Sequence, residues 1–119
     1  MVYDGGVRTP IGEVEVNGVP RPFIRDEDAH RFELMFDDGP AFIDFRQRDR
    51  SLSLLHTEVP AALRGKGVGD VIAVAVLDYA RTQDLLVKPF CAFVAKYIAR
   101  HPQYGDLVDP SFSVPPDAG

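Results

Sequence analysis

The stretch LRGKGVGD, Leu63–Asp70, places three glycines and two cations between two apolar segments. Before it, LSLLHTEV (52–59) predicts a strand that Pro60 ends, because proline cannot donate to a strand ladder. After it, apolar residues cover most of the helical circumference over residues 70–83, which predicts a largely buried helix. A strand, a glycine-rich turn and a helix together form an anion site, because the first helical amides lack internal partners and lie at the positive end of the dipole.

The turn has two interpretations that spacing alone leaves open. Glycines at 65, 67 and 69 would let backbone amides converge on a phosphate, and Arg64 and Lys66 would add positive charge. The same glycines would also suit a tight strand-to-helix connection that only requires positive φ angles.

Two nucleotide-binding motifs do not fit the turn. A P-loop requires Ser or Thr after its lysine, but Gly67 follows Lys66. A dinucleotide-binding fingerprint that starts at Gly65 requires a glycine where Asp70 stands.

The rest of the chain predicts an α/β fold. HRFELMF (30–36) and AFIDFRQR (41–48) alternate apolar and polar residues, and the turn sequence DDGP separates them. LLVKPF (85–90) predicts a further strand, and AFVAKYIAR (92–100) predicts a second helix that ends near His101-Pro102. The predicted order is an antiparallel meander followed by β-α-β-α, in a mixed sheet whose strand-helix-strand unit is parallel.

The chain of 119 residues suits one domain, residues 1–119. Residues 1–29 are rich in Gly, Pro and charge, which predicts a loosely attached extension. Within it, Val14, Val16 and Val19 around Asn17-Gly18 predict a hairpin. We expect a core over residues 30–109 and an irregular tail over 110–119.

Composition narrows the classes of function. A formal net charge of -5 argues against a dedicated nucleic-acid binder. The single cysteine, Cys91, and three histidines without close Cys/His pairing predict neither an internal disulfide nor a structural metal site. The sequence has no charged-then-apolar leader and no apolar run of about 20 residues, so we expect a soluble, cytoplasmic protein without membrane partners.

The spacing Arg64-x-x-Gly67-x-Gly69 resembles the pyrophosphate loop of the GNAT superfamily of N-acetyltransferases. Residues 56–104, HTEVPAALRGKGVGDVIAVAVLDYARTQDLLVKPFCAFVAKYIARHPQY, are similar to its small YjdJ-like branch. The resemblance implies a GNAT-like fold and an N-acetyltransferase with acetyl-CoA as cosubstrate and a primary amine as acceptor. The HTEV strand would separate from its neighbour at its end and offer backbone groups to the pantetheine arm, while the amides of residues 66–69 would hold the pyrophosphate. The cofactor-binding residues that it implies are Val59, Arg64, Gly65, Lys66, Gly67, Val68 and Gly69, with Asp70 expected to face solvent.

Four residues are candidates for chemistry. Glu58 could act as a base, although a glutamate at the end of a strand is more often solvated. Histidine side chains as a class titrate near neutrality, so His56 is a second candidate, although it could equally pack or cap. Tyr97 lies near the place where many superfamily members carry a tyrosine that protonates the thiolate, but a helix-face aromatic is commonly part of the core. Cys91 precedes a helix, which can lower a thiol pKa, although most free cysteines are small buried apolar residues. An acetyl-cysteine intermediate and direct transfer both stay open.

The acceptor side is predicted to be open. Larger superfamily members place two helices between the first and second strands, where the helices form one wall of the acceptor site. Here only DDGP separates HRFELMF from AFIDFRQR. An open side suits a bulky amine on a protein or peptide, or a site that another subunit completes. The alternatives are a catalytically weak CoA-binding module and an interaction domain whose glycine turn is only structural.

Overall fold

The computed structural model describes residues 8–112. Six strands form one sheet in the spatial order of the chain, with every neighbouring pair antiparallel except the last, which is parallel. The strands are β1 (Arg8–Val16), β2 (Val19–Asp26), β3 (Arg31–Phe36), β4 (Gly39–Arg48), β5 (Ser51–Glu58) and β6 (Leu86–Pro89). The helices are α1 (Val68–Thr82), α2 (Ala92–Arg100) and two short 3-10 helices, Ala61–Leu63 and Pro102–Leu107. The mixed α/β fold predicted from the sequence is confirmed.

The first two strands belong to the sheet. The predicted hairpin turns at Asn17-Gly18, with Val16 opposite Val19. The expectation of a loosely attached extension is wrong for residues 8–26, because β2 pairs with β3 from Phe23 to Asp26 and Phe23 is buried. The remaining residues of that extension, 1–7, lie outside the described part of the chain.

The prolines of β2 explain why the sequence pattern did not predict this strand as part of the sheet. Pro20 and Pro22 lie in the part of β2 that pairs with β1 but not with β3. Proline is tolerated there because a half-paired segment does not need every N–H donor.

The connections between the early strands are too short for helices. Four residues, 27–30, join β2 to β3, and Asp37 and Asp38 join β3 to β4. Among residues 8–112, the first α-helix therefore follows β5. It starts at Val68, two residues before the predicted start.

The helices cover one face of the sheet. Phe32, Leu34, Ile43 and Leu54 are fully buried, and they form a cluster with α1 and α2 side chains such as Ile72, Val76 and Val94. Successive residues of a strand alternate between the two faces of a sheet, so the remaining side chains of β1–β5 point to the face opposite the helices. We call that side the open face; its paired positions include Asp26, Arg31, Glu33, Phe42 and Asp44.

The open face is covered in part by charged side chains rather than by a helix. Glu33 is buried and accepts hydrogen bonds from Arg8 and, at 2.6 Å, from Arg31. Arg8 also lies 3.4 Å from the Asp26 carboxylate. The Arg31 guanidinium lies 4.3 Å from the centroid of the Phe42 ring. Paired in this way, the charges tolerate partial burial while one face of the sheet stays accessible from solvent.

The segment after the second 3-10 helix folds back on β6. Val108 forms a bridge to Val87, and the Asp109 N–H donates to the Val87 carbonyl. Residues 110–112 form neither helix nor strand, and the rest of the predicted tail, 113–119, lies outside the described residues. No helix within 8–112 combines the length and the apolar character that crossing a membrane requires.

Candidate functional site

The glycine turn leads directly into α1. Gly65 and Gly67 have φ angles of 79° and 78°, in the left-handed region, and Gly67 is the residue before the helix begins. A Cβ at either position would meet no atom within 4 Å, so both glycines border open space. The turn therefore has the backbone and the room that an anion at a helix N-terminus requires.

A cavity of about 220 Å³ lies at this turn. We call it the turn cavity; its lining residues are Val59, Leu63, Arg64, Gly65, Gly67, Val68, Gly69, Asp70 and Phe93. Six of the seven residues predicted to bind cofactor are among them. The seventh, Lys66, lies in the same turn with an exposed side chain but does not line the cavity. Asp70 is exposed as expected, although it also borders the cavity.

Strands β5 and β6 separate beside the turn. Their parallel pairing ends at Leu54 and Pro89, and the Cys91 N–H donates to the Leu54 carbonyl at 2.9 Å. Within residues 8–112, β5 is paired only with β4 from Leu55 onward, so its other edge can offer backbone groups. The separation agrees with the expectation, drawn from the family resemblance, that the HTEV strand separates from its neighbour at its end.

A β-bulge decides which way the end of β5 points its side chains. Phe45 pairs with Leu54, but the next residue back, Asp44, pairs with His56, so Leu55 is the extra residue. A bulge shifts the alternation of a strand by one. As a result His56 and Glu58 lie on the open face, opposite Asp44 and Phe42, while Thr57 lies on the helix-covered face.

Thr57 meets Cys91 on the helix-covered side. The Thr57 Oγ1 and Cys91 Sγ atoms lie 3.2 Å apart, across the gap between the separating strands. Cys91 is buried, and α2 begins at the next residue. Thr57 is the hydrogen-bond partner of this sulfur within residues 8–112, so no imidazole or carboxylate there is placed to take a proton from the thiol.

His56 and Glu58 interact on the other side. His56 Nε2 and Glu58 Oε2 lie 2.7 Å apart, and Arg64 reaches Glu58 Oε1 at 3.3 Å and the Val59 carbonyl at 3.2 Å. The hydrogen bond from His56 and then the positive charges of His56 and Arg64 lower the pKa of Glu58 below its ordinary 4.5. Glu58 is therefore ionised at neutral pH, and its carboxylate holds the imidazole in place.

Tyr97 packs against two other aromatic rings. Its ring stacks on His101 with centroids 3.9 Å apart and lies 6.1 Å from the Tyr104 ring. Burial, and then the charges of Asp70 and Asp78, raise the pKa of Tyr97 above 10.0. Tyr97 is not among the residues that line the turn cavity, and its predicted role as a proton donor stays a prediction.

Phe93 is a site residue that sequence reasoning did not find. A Cβ on Gly69 would lie 2.8 Å from Phe93 Cζ, so the ring of α2 packs on the first turn of α1 because residue 69 has no side chain. Phe93 is 40% exposed and forms one wall of the turn cavity. Because the contact joins residues 24 positions apart, local pattern does not predict it. The available signal in the sequence was a phenylalanine two residues after Cys91.

The described residues include no group of three His, Cys, Asp or Glu side chains that could hold a metal ion.

Comparison with known proteins identifies the family. The family described as GCN5-related N-acetyl-transferase matches residues 31–107, from the start of β3 to the end of the last 3-10 helix. The chain belongs to this family of N-acetyltransferases. The GNAT assignment is thus confirmed, and the narrower YjdJ-like branch stays a prediction.

Several vertebrate proteins are similar to this GNAT domain. Protein NATD1 of Homo sapiens is 38% identical over 106 residues, which cover 85% of this chain and 93% of that protein. Protein NATD1 of Gallus gallus is 38% identical over 106 residues, covering 85% and 96%. Protein NATD1 of Mus musculus is 38% identical over 63 residues, covering 51% and 57%.

Proposed function

We propose that this protein transfers an acetyl group from acetyl-CoA to a primary amine carried by a protein or peptide. The observation that carries the proposal is the separation of β5 from β6 directly beside the glycine turn. The separated end of β5 carries the paired His56 and Glu58 and leads directly to the glycine turn, the proposed anion site.

The residues at the turn fit the diphosphate of CoA. The amides of residues 67–69 lie at the N-terminus of α1, where N–H groups lack helical partners, whereas the Lys66 N–H donates to the Leu63 carbonyl at 3.3 Å. Arg64 lines the cavity, and its guanidinium donates to Glu58 and the Val59 carbonyl at the edge of the turn. Val59 and the free edge of β5 would contact the pantetheine arm, with Phe93 as an apolar wall. When bound, acetyl-CoA supplies an activated acetyl thioester.

His56 and Glu58 would handle the proton of the acceptor ammonium. A carboxylate whose pKa is lowered binds protons weakly, so we assign proton acceptance to the His56 imidazole and its orientation to Glu58. Both side chains lie on the open face, where Asp44 and Phe42 are their cross-strand neighbours. Tyr97 is retained as the proposed donor to the departing thiolate.

Native mass spectrometry with acetyl-CoA, followed by a screen of amine acceptors, tests the function. We expect one acetyl-CoA per chain and an acetylated amine product. CoA retained without transfer to any amine would favour the weak CoA-binding module, and failure to retain CoA would contradict the proposal.

The open face leads to a prediction about acceptor size. No helix among residues 8–112 covers His56 and Glu58, so peptides with a free amine should be acetylated at least as efficiently as compact polyamines. Values of kcat/KM for a short unstructured peptide and for spermidine provide the comparison. Strict specificity for the polyamine would contradict an open acceptor side.

Cys91 provides a second prediction, because its surroundings favour direct transfer. Its hydrogen-bond partner is a threonine hydroxyl rather than a base, so the thiol lacks the activation that a nucleophile requires. Cys91→Ala should keep CoA affinity and retain activity within about threefold, since the substitution removes one small buried sulfur. Mass spectrometry of the wild-type protein with acetyl-CoA and no acceptor should show no acetylated Cys91. An acetyl-cysteine that disappears at the turnover rate when acceptor is added would overturn the prediction.

A further inference from the structure

The open face carries side chains in two rows that run across β2, β3, β4 and β5. The paired residues of the first row are Asp26, Arg31, Asp44 and His56, and those of the second row are Ile24, Glu33, Phe42 and Glu58. Residues directly opposite each other on neighbouring strands share one face of the sheet, with Cβ atoms about 5 Å apart. The proposed base His56 therefore has Asp44 as its direct cross-strand neighbour.

Three of the four carboxylates in the two rows are paired with cations. Glu33 accepts hydrogen bonds from Arg8 and Arg31, and Asp26 lies 3.4 Å from Arg8. Glu58 has the histidine and arginine partners described for the candidate site. Such pairing offsets the cost of taking a carboxylate partly out of water.

Asp44 is the fourth carboxylate, and it has neither a hydrogen bond nor an ion pair within residues 8–112. It is half-buried. Arg31, its neighbour on β3, is instead bonded to Glu33 and lies with its guanidinium over the Phe42 ring. Arg46, two residues along β4 on the same face, is exposed and forms no ion pair within the described residues. Among the carboxylates of the two rows, Asp44 is thus the one whose charge a bound cation would balance.

The His56 ring directs one nitrogen to Glu58 and keeps the other for a ligand. Because the ionised Glu58 carboxylate can only accept, Nε2 carries the hydrogen of their 2.7 Å contact. Nδ1 has no hydrogen-bond partner within residues 8–112, so the neutral ring keeps its lone pair there. A carboxylate and this lone pair, on neighbouring positions of one face, suit two N–H groups of the same ammonium.

We propose that Asp44 binds the ammonium group of the acceptor and holds it beside His56. The inference rests on the proposed function and adds to it the residue that recognises the positive charge of the acceptor. One N–H of the ammonium points at the Asp44 carboxylate, and a second points at His56 Nδ1, which takes that proton and leaves a neutral amine. A carboxylate also stabilises the ammonium against deprotonation, so Asp44 lowers KM rather than raising kcat.

Nuclear magnetic resonance titration of the full chain with pentylamine tests this binding without acetyl transfer. At neutral pH pentylamine is a cation, and pentan-1-ol has the same carbon chain without the charge. We expect pentylamine to shift the amide signals of residues 42–44 and 56–58, and Asp44→Asn should raise its dissociation constant about tenfold. Pentan-1-ol should bind more weakly than pentylamine, and equally to both proteins. The substitution is nearly isosteric and removes no hydrogen bond within residues 8–112, so the fold should be retained.

The matched control is Asp38→Asn, which makes the same substitution at an exposed residue in the turn before β4 and should bind pentylamine as the wild type does. Equal affinity in wild type and Asp44→Asn, equal weakening in both variants, or no binding by the wild type would each overturn the proposal.

Steady-state rates provide a second readout. With the best acceptor of the amine screen, Asp44→Asn should raise KM about tenfold and keep kcat within about threefold. A fall in kcat at unchanged KM would overturn the proposal, because Asp44 would then act on the base rather than on the charge of the acceptor. A wild-type protein that binds pentylamine through Asp44 but transfers no acetyl group would contradict the proposed function and leave the assignment of Asp44 as a cation-binding residue intact.

Discussion

Gly67→Glu should raise the dissociation constant for CoA by about 100-fold, which is about 2.7 kcal/mol of binding free energy. Gly67 has a φ of 78° at the residue before α1, and its missing side chain leaves open space in the turn cavity. A glutamate there would fill that space and place a negative charge where the proposed diphosphate binds. Isothermal titration calorimetry with CoA measures the effect.

Gly18→Glu is the matched control for the strain that this substitution introduces. Gly18 has a φ of 80° in the β1–β2 turn, and a Cβ there also meets no atom within 4 Å. Both variants should lose about 1 to 2 kcal/mol of folding stability from the left-handed backbone, but Gly18→Glu should keep its CoA affinity. Unchanged affinity in a folded Gly67→Glu variant would remove the turn from the binding site.

His56→Asn should lower kcat by about 100-fold, the lower end of what general base catalysis contributes. The imidazole lies on the open face and is held by the ionised Glu58 at 2.7 Å, whereas asparagine cannot accept a proton at neutral pH. The affinity for CoA should not change, because His56 does not line the turn cavity. Steady-state rates with the best acceptor of the amine screen provide the measurement.

The control for that variant is His30→Asn, which changes an exposed histidine between β2 and β3. His30 has a φ of 57°, and asparagine tolerates that conformation well, so activity should stay near wild type.

The pH dependence of the rate tests the role of Glu58. Its pKa is lowered, so it is ionised at any pH well above 4.5, and a loss of rate between pH 5 and 8 cannot arise from its protonation. Full activity in His56→Asn with an inactive Glu58→Gln would assign proton acceptance to Glu58.

Local pattern predicted most elements of the core. The second helix was predicted at residues 92–100, where α2 lies, because its apolar spacing and the following proline are both local signals. The glycine turn was recognisable for a similar reason, since positive φ angles at 65 and 67 restrict the residue type directly. Six of the seven predicted cofactor-binding residues line the turn cavity.

The features that the sequence did not predict depend on contacts between distant residues. Phe93 closes over Gly69 through packing between two helices. Attachment of β1 depends on Arg8 reaching Glu33, two strands away, as well as on the hairpin. The bulge at Leu55 follows from the register between β4 and β5, which a single strand does not reveal.

The bulge at Leu55 also bears on how such an enzyme could diversify. Beyond it, positions 56 and 58 look out on one side of the sheet and position 57 on the other. Under the proposed function, substitutions at positions 56 and 58 would alter the acceptor side of the sheet, while position 57 would stay on the side of Cys91. Acceptor preference could then change through two residues of this short segment without altering the residue between them.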